Sequence, residues 1–159
     1  MITEVTGEFI KSAMAKRITE TFTNPVIYKE QILQGFKKPS FFIWTVDVSQ
    51  QKQMRNNFTR SYEMNVRYHA ETDRTDLYQH LCSVGSQLLE CLSTIVLPTV
   101  KIQLDGTETE VELPLYSRQM SFKITDDVLQ VYVTYDIKTK IQTPTLPAMT
   151  LAGVAVEVY

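Results

Sequence analysis

Residues Gln34–Ala70 read QGFKKPSFFIWTVDVSQQKQMRNNFTRSYEMNVRYHA. In the second half, Tyr62, Met64, Val66 and Tyr68 alternate with Ser61, Glu63, Asn65, Arg67 and His69. A period of two predicts a half-buried strand, with one face on a core and the other in water or against a partner. The run before it, Phe41–Val48 (FFIWTVDV), is aromatic and β-branched and predicts a second strand. Phe42, Trp44, Tyr62 and Tyr68 are read together as core aromatics. Between the strands, Ser49–Asn57 (SQQKQMRNN) is too polar to bury and carries no acid. The expectation is an antiparallel hairpin with a long, mobile polar loop at its tip.

Upstream, residues 3–20 have apolar side chains at helical spacing: Ile2, Val5, Phe9 and Ala13, with Ile10, Met14 and Ile18. Thr3 is a candidate N-cap, and Asn24-Pro25 ends the segment. Val26–Tyr28 then predicts a short strand, and Gly35–Pro39 a turn. Downstream, a second helix is expected from a cap at Thr72 or Asp73 to about Leu92. It is carried by Leu77, Leu81, Val84, Leu88, Leu89, Leu92 and Ile95, and Pro98 lies beyond its end. Gly85 in its middle points to close approach by a neighbouring element. Cys82 and Cys91 face opposite sides of that helix, roughly 13 Å apart along its axis, so both are expected as free thiols.

Two further hairpins follow. Val100–Leu104 and Glu108–Leu113 flank Asp105-Gly106 and predict a short ribbon projecting over residues 99–114. Met120, Phe122 and Ile124 return through Leu129, Val131, Val133, Tyr135 and Ile137, with a turn at Asp126-Asp127. These strands have a clear inward face and belong in the main sheet. Thr143–Pro147 breaks the chain, and Thr150–Tyr159 is extended and apolar. The fold class expected is α+β: a mostly antiparallel sheet, two main helices packed on its apolar face, and projecting hairpins. One domain is expected over residues 1–142, with 143–159 as an extended arm or edge strand.

Order and motifs carry a resemblance. An N-terminal helix, Tyr28-Lys29-Glu30, the run Gln34-Gly35-Phe36-Lys37-Lys38-Pro39-Ser40-Phe41-Phe42-Ile43, then Val48-Ser49-Gln50 and an alternating strand resemble the tail terminator family of tailed bacteriophages. The likeness covers roughly residues 1–140, and the 99–114 ribbon departs from it. It implies a structural protein forming a hexameric ring that caps the tail tube, stops its polymerisation and offers a joining surface to the neck or head. Implied partners are further copies of itself, the tail tube protein, a neck or connector protein, and a sheath protein if the tail is contractile. DNA would pass through only as cargo. The implied location is the virion tail, with the host cytoplasm during assembly.

Composition agrees with a soluble globular domain: 43% hydrophobic, 21% charged and a net charge of -2. Such a balance argues against a dedicated nucleic-acid binder. No apolar run approaches a membrane span, and Met1-Ile2-Thr3-Glu4 does not open like a signal peptide, so a cytoplasmic protein is expected. No cofactor or metal is expected. His69 and His80 lack neighbours at ligand spacing, and Glu108, Glu110 and Glu112 read as a solvated strand edge. The five glycines are scattered, so no phosphate-cradling loop is present. Candidate inter-subunit or tube contacts are Gln51, Lys52, Gln53, Arg55, Asn56 and Asn57 at the central tip, and Leu151, Val154, Val156 and Val158 in the tail. The competing readings are another neck or head-completion ring component and, in a different class, a ligand-binding or hydrolytic domain using His69 or the Tyr62/Tyr68 face.

Overall fold

The computed structural model describes residues 7–30, 34–71, 73–104, 107–140, 149–151 and 154–156. The elements are α1 (Gly7–Thr21), β1 (Ile27–Tyr28), β2 (Ser40–Lys52), β3 (Asn57–His69), α2 (Leu77–Cys91), β4 (Thr94–Leu104), β5 (Thr107–Thr125), β6 (Val128–Lys140), β7 (Met149–Leu151) and β8 (Val154–Val156). A six-stranded sheet runs in the order β1-β2-β3-β6-β5-β4, and β7 pairs with β8 in a separate two-stranded sheet. The main sheet is mixed, because β1 runs parallel to β2 while every other neighbouring pair is antiparallel.

The alternation predicted for the central strand is realised on β3. Tyr62, Met64, Val66 and Tyr68 are all buried and meet Tyr135, Val133, Val131 and Leu129 across β6. Phe41 and Ile43 continue that face onto β2, and Met120, Phe122 and Ile124 onto β5. Both helices cover it. α1 buries Ile10, Ala13, Met14 and Ile18, and α2 buries Leu81, Val84, Leu88 and Cys91. Phe9, expected in the α1 stripe, is 37% exposed instead. α1 touches β4 at one end of the sheet and β2 near the other, so the sheet curls around the helices.

Several boundaries differ from the sequence expectation. Ile95 is fully buried, but on β4 rather than on α2. α2 starts after Asp76, whose carboxylate is taken by Arg74 at 2.8 Å and makes no cap bond. Pro98 falls within β4, where the register shifts between Leu97 and Val100. The ribbon expected to be short is the end of two long strands of the main sheet, of 11 and 19 residues. Thr3, Thr72 and Asp105-Gly106 lie outside the described residues.

Two joints lock α2 in place. A Cβ at Gly85 would sit 3.1 Å from ring carbons of Phe122, so helix and sheet approach as closely as glycine permits. At the C-terminus the carbonyls that a helix leaves unpaired find partners on α1, on β6 and on Ser93 just beyond the helix. Ser93 Oγ donates to Glu90 O at 2.7 Å, Arg17 Nε of α1 to Cys91 O at 2.9 Å, and Tyr135 Oη of β6 to Leu92 O at 2.5 Å. Cys82 and Cys91 are free thiols, and burial raises the Cys91 pKa.

Candidate functional site

The face of the sheet opposite the helices is polar and laid out in cross-strand rows. Trp44, Asn65, Tyr132 and Ser121 form one row, and Asp47, Glu63, Thr134 and Gln119 the next. Ser49, Ser61 and Asp136 form a third towards the hairpin tip. Phe42 and Trp44 belong to this face, which corrects their grouping with Tyr62 and Tyr68. Phe42 is buried by Tyr28, Phe36 and His69, with ring centroids 4.9, 5.1 and 5.3 Å away. Trp44 lies under the Arg67 guanidinium, 4.6 Å from the ring centroid.

Between these rows is a groove of about 400 Å³, lined by Asp47, Glu63, Ser49, Ser61 and Thr134 from β2, β3 and β6, with Arg118 from β5 among the rest. A bulge sets its geometry: β2 gains one residue between Thr45 and Asp47, which places Asp47 directly opposite Glu63. Asp136 is neutralised locally, by Arg118 Nε at 2.7 Å and by a hydrogen bond from Ser61 Oγ. Asp47 and Glu63 form no ion pair among the described residues. Asn65, beside Glu63 on the same face, is 1% exposed, and neither of its amide atoms has a hydrogen-bond partner.

The predicted loop Ser49–Asn57 is strand at both of its ends. Gln51 and Lys52 lie on β2 and Asn57 on β3, leaving only Gln53–Asn56 as the connection. The ladder persists because backbone pairing needs no apolar side chain, and Arg60 adds a cross-strand bond to Gln50 Oε1 at 2.8 Å. Residues Gln51–Asn57 are all exposed, Met54 at 83%. Gln53 N–H donates to Asn57 O at 2.8 Å and Asn57 N–H to Met54 O at 3.3 Å. Arg55, inside that turn, has φ of 63°, a conformation that suits glycine far better than arginine.

Leu151 pairs with Val154 and Met149 with Val156 across β7 and β8, while Val158 lies outside the described residues. His69 packs at a tilt against Phe36 and edge-on against Phe42, and His80 shares a 2.9 Å hydrogen bond with Tyr68 Oη. Tyr62 and Tyr68 are core residues, 4% and 5% exposed, and Tyr68 also borders a pocket of about 240 Å³ that it shares with His80. Among the described residues no group of His, Cys, Asp or Glu is placed to hold a metal ion, and no helix is long and apolar enough to cross a membrane. Residue spacing did not reveal the Asp47–Glu63 groove, because it depends on a bulge and on four strands lying side by side.

The sheet thus carries a polar face opposite its helices and a long, exposed hairpin end. The family model described as phage tail terminator protein matches residues 9–147, and the chain belongs to that family. It is therefore a structural tail protein, of a family that is not enzymatic and works alongside other tail components in the virion. No curated protein sequence matches it. One solved structure aligns with 89% of this chain and 100% of its own at 12% identity, with a TM-score of 0.28, too loose a likeness to carry an argument.

Proposed function

We propose that the protein forms a hexameric ring that caps the tail tube, stops its polymerisation and presents its other side to the neck or head. The observation that carries this reading is the β2–β3 end, where Gln51, Lys52, Gln53, Arg55, Asn56 and Asn57 are all exposed at the tip of a long strand ladder. A ladder gives a tip reach and fixed direction, which suits a contact with the tube or a neighbouring subunit. The C-terminal segment, with Leu151, Val154, Val156 and Val158, serves as an arm laid on a neighbour. Assembly occurs in the host cytoplasm, and DNA passes through the ring only as cargo. Electron microscopy of the protein with and without assembled tail tubes tests this. Rings on tube ends and shortened tubes are expected, and persistent monomers that never decorate a tube end refute it.

A further inference from the structure

Building on the ring reading, we infer that the basic tip of β2–β3 in one copy seats in the Asp47–Glu63 groove of the next copy, and that this contact closes the ring. Directly opposed like charges destabilise a strand pair, so Asp47 facing Glu63 is a cost to the isolated subunit. Among the described residues no cation forms an ion pair with either carboxylate. The cation beside the groove, Arg118, is held by Asp136 at 2.7 Å. The groove also offers the hydroxyls of Ser49, Ser61 and Thr134, which accept from an ammonium or guanidinium group. Buried alongside, the Asn65 amide has both a donor and an acceptor unused.

The complementary surface is on the same chain. Lys52 and Arg55 stand at the tip with no acid between Ser49 and Arg60, and Met54 beside them is 83% exposed. Lys138 is exposed on the neighbouring β6, near the same end of the sheet. From Asp47 to the tip the strand runs roughly 20 Å at about 3.3 Å per residue. Tip and groove of one copy are therefore held apart by the ladder between them. Only another copy brings them together, through unlike surfaces on the two partners. Contacts of that kind repeat head to tail and close when the rotation allows, as a ring requires. Charges left unpaired in the monomer would set register and association rate at such a contact.

Charge exchange in the full-length chain tests the contact. Three variants are needed: Lys52→Glu with Arg55→Glu, Asp47→Lys with Glu63→Lys, and all four changes together. Mass by light scattering and negative-stain images are the readouts, with circular dichroism melts to establish folding. Each two-site variant is expected to fall from ring to monomer. An equimolar mixture of the two should regain rings, because every tip then meets a groove of opposite sign, and the fourfold variant should ring alone. The milder pair Asp47→Asn with Glu63→Gln, which removes the repulsion, should melt higher than wild type and still lose the ring. Wild-type rings together with unimpaired rings from either two-site variant overturn the contact alone, as does a mixture that stays monomeric. Ring loss confined to Glu110→Lys with Glu112→Lys would move the receptor to the β4–β5 ribbon and equally overturn it. A wild-type protein that is monomeric both free and on tubes overturns the ring reading itself.

Discussion

Tyr135 Oη, at the centre of the sheet, donates a 2.5 Å hydrogen bond to the carbonyl of Leu92, just past the last turn of α2. Both residues are fully buried, and burial raises the tyrosine pKa well above its ordinary value, so the phenol stays a donor at any physiological pH. Tyr135→Phe keeps the ring and strands the carbonyl. Leaving a buried acceptor unpaired costs about 1–3 kcal/mol. Urea denaturation should show a loss of that size with an unchanged m-value, whereas an unchanged midpoint would mean water replaces the hydroxyl.

Gly85 makes a second point of contact between α2 and the sheet. Valine there must displace Phe122, because even a Cβ would lie 3.1 Å from its ring. Overpacking of this kind costs about 1–3 kcal/mol, and β-branching adds a small helix penalty. Thermal unfolding of Gly85→Val should register the loss. A variant as stable as wild type would show that the ring moves aside freely.

Arg55 separates stability from assembly. At φ of 63° its backbone is strained, and glycine there should raise stability by about 1 kcal/mol. Local strain kept at an exposed tip points to a role for the side chain. Arg55→Gly should therefore melt higher than wild type and yet cap tubes less well. Equal capping, scored as tail-length distribution, would leave the arginine without a function.

Acid should weaken the fold. Burial lowers the pKa of both His69 and His80 below the ordinary 6.5, reinforced by Lys38 and Arg67 for the first and by Arg74 for the second. A lowered folded-state value means the unfolded chain takes up protons first as pH falls. Stability is thus full above 6.5 and declines as pH drops through that value towards the folded pKa values. Melting temperature followed from neutral pH downward should show the decline, and His69→Gln should reduce it. A flat profile for wild type through this window would contradict the assignment.

The C-terminal arm should matter to assembly more than to folding. Among the described residues β7 and β8 pair with each other, in a sheet separate from the main one. A chain ending at Thr143 should unfold cooperatively but form weaker rings. Failure of the truncated chain to fold would place the segment in the core instead.

Much of this protein was legible in its amino-acid order. Alternation alone assigned Tyr62, Met64, Val66 and Tyr68 to the core, because a strand's side chains must switch faces at every residue. Gly85 announced a close approach, since a helix tolerates glycine mid-way at a cost. Asp126 and Asp127 turned the chain as expected, both at positive φ. The tertiary structure decided the rest. Polarity of Ser49–Lys52 suggested a loop, yet pairing with Phe58–Ser61 extends the strand, because a ladder is stabilised by its neighbour's backbone. Phe42 and Trp44 alternate like core residues but occupy the opposite face, covered by Phe36, His69 and Arg67 from other segments. The opposition of Asp47 to Glu63 arises from one extra residue in β2. A bulge changes which residues face each other, and cross-strand register is a property of two strands together that neither strand's own sequence encodes.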